Sequence, residues 1–96
     1  MNKMRPIHPG EILWEEMKEL GLSANALARE LGVPANRISA ILNEQRSVTA
    51  DTALRLAKYF GTTPEFWMNL QVAYDVKKAR LESGAEIERT VRARAA

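Results

Sequence analysis

Residues 24–43 read ANALARELGVPANRISAILN, and this stretch decides the fold. Leu27, Ala28 and Leu31 share one face of a first helix, and Ile38, Ile41 and Leu42 share one face of a second. Gly32 lies between them, where the first helix must stop and the backbone must turn, a place that suits a residue tolerant of positive φ. Ala28 is small enough to let the two helices cross closely. Two helices joined by a short glycine-containing turn form the generic helix-turn-helix, which sets its second helix in the DNA major groove. The plainer alternative is an ordinary αα-hairpin inside a helical core.

Outward from this stretch the pattern predicts an all-α chain of five helices. A first helix is expected over about residues 9–20, with Pro9 in its first turn and Leu13, Met17 and Leu20 facing inward. Ser23 reads as the N-cap of the second helix, and the third is expected over about residues 34–43. Thr49 is the next cap candidate, before a helix carrying Ala53, Leu56, Ala57 and Phe60 at core spacing and stopping at Gly61. Thr63-Pro64-Glu65 starts a fifth helix, expected to end near Arg80. Beyond Ser83-Gly84, Ile87, Thr90 and Val91 fit a short strand, a frayed helix or an extended basic tail. The reading therefore divides the chain into a DNA-binding and dimerisation domain at 1–80 and a short C-terminal tail at 81–96.

Composition bounds the function. Ninety-six residues form one domain with a modest core, and 46% hydrophobic with 27% charged residues is the balance of a soluble globular protein. There are no cysteines, so disulfides and thiolate metal sites are excluded, in keeping with a reducing, cytoplasmic setting. No apolar run is long enough for a membrane span, and no signal-peptide core is apparent. A single histidine, His8, makes a metal site improbable; shaping the entry to the first helix is the simpler role. No nucleophile, acid–base pair or phosphate loop is legible, so neither an enzyme nor a cofactor is expected.

The net charge of +2 says little, but its distribution says more. The first helix carries Glu11, Glu15, Glu16 and Glu19 against Lys18, whereas the chain from Lys77 onward carries Lys77, Lys78, Arg80, Arg89, Arg92 and Arg94. An acidic and a basic pole on one small domain suggest two different partners, with a merely solvated surface as the alternative. The fifth helix is apolar on two sides. Phe66, Trp67, Leu70, Ala73 and Tyr74 form one stripe, and Met68, Val72, Val76 and Ala79 form another nearly opposite. So short a chain has little to cover the second stripe, which points to a two-fold homodimer, unless the chain from Leu81 folds back over it.

On the third helix, Ala35, Asn36, Arg37, Ser39 and Ala40 face outward at the end that meets base edges. Asn36 suits adenine, Ala35 and Ala40 suit thymine methyls, and Arg37 suits either guanine or a phosphate. Asn43 and Arg46 are placed for backbone contacts, and Ser23 and Asn25 can present donors to phosphate. Capping or solvation is the alternative for each.

The chain resembles the HigA-type antitoxins, a branch of the XRE, or lambda-repressor-like, helix-turn-helix proteins. The resemblance spans about residues 7–80. It rests on His8-Pro9-Gly10-Glu11-Ile12-Leu13, the helix-turn-helix, Thr52-Ala53-Leu54-Arg55-Leu56-Ala57 and Thr63-Pro64-Glu65-Phe66-Trp67-Met68-Asn69-Leu70-Gln71. One departure is Pro34, where relatives often carry a serine cap. The resemblance implies a five-helix lambda-repressor-like domain, a homodimer that represses its own operon and neutralises an mRNA-cleaving toxin. Such a toxin must be basic to hold RNA, so the ridge of Glu11, Glu15 and Glu19 is a candidate docking surface, with a solvated helix face as the alternative. Residues 81–96 and residues 1–7 are the other candidates. A stand-alone XRE regulator is the first alternative, and a toxin-inhibiting module without DNA affinity is the second.

Overall fold

A computed structural model describes residues 5–95 as five α-helices, with no strand among those residues. They are α1 (Pro9–Leu20), α2 (Ala24–Leu31), α3 (Ala35–Leu42), α4 (Ala50–Phe60) and α5 (Pro64–Thr90). The start of the N-terminal arm, residues 1–4, and the last residue of the tail, 96, lie outside the described residues.

Each helix start has a local cause. Ser23, Thr49 and Thr63 accept from the backbone N–H groups of Ala26, Thr52 and Phe66, so the three expected caps all form. His8 caps α1: its Nδ1 accepts from the Gly10 N–H at 2.9 Å, and its ring meets Tyr74 edge-on at 4.8 Å. Pro34 is extended and precedes α3 instead of opening it, because its ψ of 145° is not helical.

Leu13 and Met17 of α1, Leu27, Ala28 and Leu31 of α2, and Ile38 and Ile41 of α3 form the core. Val48, Ala53, Leu56, Ala57 and Trp67 complete it. Leu20 was expected to join them, yet it is 57% exposed. The chain reverses at Gly21, in the left-handed region, and the Leu22 N–H bonds to the Met17 carbonyl at 2.9 Å. Leu22 packs on the core instead, as the residue after such a reversal commonly does.

α5 is longer than the sequence pattern suggests. It runs through Ser83 and Gly84 to Thr90 and leaves neither a strand nor an extended tail at 81–90. One glycine costs a helix only about 1 kcal/mol. Helix formers surround it, and Lys78–Glu82 and Glu86–Arg89 ion pairs lie along the same segment. At about 1.5 Å per residue, 27 residues extend roughly 40 Å, which accounts for much of the 52 Å long axis. Only Trp67 and Gln71 of this helix are buried, so its second half projects beyond the core.

Two polar contacts seat α5. The Trp67 indole donates to the Thr62 hydroxyl at 2.9 Å, and the Gln71 carboxamide accepts from the Val48 N–H at 2.7 Å. The second fixes the loop that follows α3. α1 approaches α3 so closely that a Cβ at Gly10 would overlap the Ile41 carbonyl oxygen. Gly10→Ala should therefore destabilise the fold by about 1–3 kcal/mol through overpacking, read as a lower urea midpoint. An unchanged midpoint would show that the two backbones do not need this contact.

Candidate nucleic-acid interface

α3 buries Ile38 and Ile41 and leaves its other side open. Asn36 is exposed on that side, and Ala35, Ser39 and Ala40 are half-buried. Just past the helix, Glu44 takes a left-handed φ of 61°, a conformation that turns the chain away from the helix axis. Asn43 and Arg46 are exposed on either side of it. Ser23 and Asn25 are exposed at the start of α2. The Ser23 oxygen accepts from Ala26 at 3.1 Å while its O–H stays free to donate. Free amides at that helix end favour an anion.

Arg37 departs from its neighbours. Its side chain is only 24% exposed, and its Nη1 donates to Asp51 Oδ2 at 3.0 Å. The same oxygen accepts from Arg55 Nε at 2.9 Å, and Arg55 Nη1 donates to the Leu31 carbonyl at 2.8 Å. The hydrogen bond from Arg55, seconded by that from Arg37, holds the Asp51 carboxyl below its ordinary range. The sequence shows Asp51 and Arg55 at i,i+4 spacing on α4, but nothing local links Asp51 to Arg37, fourteen residues away in the chain.

The acidic face of α1 is less uniform than its sequence. Arg5 donates to Glu11 from both terminal guanidinium nitrogens, at 2.6 and 2.9 Å, and this hydrogen bonding holds the Glu11 carboxyl below its usual range. Glu15 pairs with Lys18 at 3.4 Å, and Glu16 and Glu19 are exposed. Trp14, which no motif in the sequence singles out, is 49% exposed on this helix with the Lys18 ammonium 5.8 Å from its ring centre.

On α5, Met68 packs partly on the core, whereas Val72 is 54% exposed, Val76 46%, and Ala79 is exposed. Further along the same side of the helix, Ile87 is exposed as well. Because residues 81–90 continue the helix, they do not fold back over this stripe. Among the described residues, no group of three or more His, Cys, Asp or Glu is placed to hold a metal ion, and no helix is long and apolar enough to cross a membrane.

A family model described as helix-turn-helix matches residues 15–67. The virulence-associated protein I of Dichelobacter nodosus is 58% identical over 79 residues, covering 81% of this chain and 73% of that protein. A solved addiction module antidote protein of the HigA family from Coxiella burnetii is 64% identical, with a TM-score of 0.93 over 95% of this chain and all of that one. The Pseudomonas aeruginosa antitoxin HigA, solved with the higBA promoter, is 47% identical, with a TM-score of 0.89 over 92% of this chain and 97% of its own.

Proposed function

Because this chain belongs to the helix-turn-helix family, in its HigA antitoxin branch, we propose that it is a non-enzymatic antitoxin that represses its own operon. The observation that carries the reading is the match of the whole five-helix frame to an antitoxin solved on promoter DNA. That frame leaves the outer side of α3 uncovered here. In this reading Asn36, Ser39, Ala35 and Ala40 meet base edges, and Ser23, Asn25, Asn43 and Arg46 hold phosphates and fix the register. The anionic backbone supplies most of the affinity, so binding falls steeply with salt.

The uncovered apolar side of α5 is the proposed two-fold contact. Val72, Val76 and Ala79 lie uncovered on a helix that projects past its own core, and a second copy offers the same apolar line. Two copies would place two α3 helices on half-sites about one DNA turn, roughly 34 Å, or a multiple of it apart. Val76→Glu places a charge in that contact. The variant should sediment as a monomer and lose binding to DNA from upstream of its own gene, at concentrations where the wild-type dimer binds. A wild type that sediments as a monomer would contradict the arrangement.

The toxin is proposed to dock on α1, away from α3. Glu15, Glu16 and Glu19 offer an acidic surface for a basic ribonuclease, and Trp14 offers an aromatic centre. Glu11 contributes less charge because Arg5 is bound to it. Glu15→Lys with Glu19→Lys should slow association with the toxin encoded beside this gene, with the defect shrinking at high salt. Full rescue of toxin-poisoned cells by the double variant would remove this surface from consideration. A locus with no neighbouring toxin gene would leave a stand-alone regulator.

A further inference from the structure

Arg37 occupies the third position of α3, where an arginine facing the groove would be the strongest base reader on the helix. It does not face outward. One carboxylate oxygen of Asp51 takes a hydrogen bond from Arg37 and another from Arg55, and Arg55 passes on to the last carbonyl of α2. A single acid thus ties α2, α3 and α4 together at the surface proposed to meet DNA.

The guanidinium geometry decides what Arg37 has left to offer. A bidentate contact to guanine uses two N–H groups along one edge of the guanidinium. The edge containing Nε is lost, because Nε is buried with no hydrogen-bond partner. The other edge shares Nη1 with Asp51. A buried donor left without a partner is costly, so the side chain is held in this pose by Asp51 and not by its own best solvation. Asp51 stands at the second position of α4, where the positive helix end favours a carboxylate and keeps it in place.

We propose that Asp51 is a specificity-determining residue of the DNA interface, which withholds Arg37 from the bases and leaves operator reading to Ala35, Asn36, Ser39 and Ala40. The inference rests on the reading of α3 as the DNA helix. In it Arg37 is a positioning residue that sets α3 against α4, and the wild-type operator has no guanine contacted by Arg37. Loss of the carboxylate frees the guanidinium to swing into the groove and adds a preference that the wild type lacks.

The test is selection of preferred sites from randomised DNA by wild type, Arg37→Ala, Asp51→Ala and the double variant, with folding checked by thermal melting. Arg37→Ala should keep the wild-type base preferences while binding all sites more weakly. Asp51→Ala should gain a guanine preference of roughly fivefold or more at one position in each half-site. The double variant should lose that gain, a dependence that a merely structural role for Asp51 would not produce. If Asp51→Ala fails to fold, Asp51→Asn removes the charge with little change in shape. The inference is overturned if Arg37→Ala relaxes a preference that the wild type holds, or if neither Asp51 variant alters any preference. A wild type that selects no site at all would overturn the DNA reading itself, and this inference with it.

Discussion

α1 rests with its backbone against the last turn of α3, and only a residue without a Cβ at position 10 permits so short a separation. That contact sets which side of α3 is buried. Ile38 and Ile41 turn inward into the core beside α1 and α2, and Asn36 is left on the open side. The same few residues bind the frame at its other end. His8, which caps the turn containing Gly10, packs its ring on Tyr74 of α5. Gln71, one turn earlier on α5, holds the Val48 N–H in the loop beyond α3. The recognition surface is therefore fixed from behind by α1 and from the side by α5, with no demand on its own outward residues.

The hairpin of α2 and α3 was legible because its signals are local: apolar spacing, a small residue and a glycine at the turn. The helix caps were legible for the same reason. Where the sequence misled, the deciding contact was remote or cooperative. Leu20 has the right spacing for the core, but the reversal at Gly21 hands its place to Leu22. Gly84 resembles a stop signal, yet helix formers on both sides carry α5 through it. Nothing near Arg37 in the chain announces Asp51, and nothing near Glu11 announces that Arg5 folds onto it. Pairings of that kind depend on the assembled fold. Glu44, an L-residue in the left-handed region, is likewise invisible to helix or turn preference.

The charged surface divides along the same frame. The exposed acids of α1 and the polar side of α3 sit on different helices, with the buried faces of both helices between them. α5 extends past the core and carries its uncovered apolar side on a third helix. Three separate surfaces fit the proposed contacts with DNA, a second copy and a basic partner. Fold-level likeness alone would not separate these roles, because a helix-turn-helix frame serves many of them. The separation rests on which side chains each helix leaves uncovered.

The outer side of α3, with the start of α2, is the proposed meeting place of this chain with DNA. Titrating isotope-labelled wild type with DNA from upstream of its own gene, and following each backbone amide by NMR, tests it most directly. The account predicts shifts concentrated at Ser23 and Asn25, from Ala35 to Ala40, and at Asn43 and Arg46, with the amides of Glu15, Glu16 and Glu19 unmoved. Shifts that gather along α1 while α3 stays unchanged would contradict it.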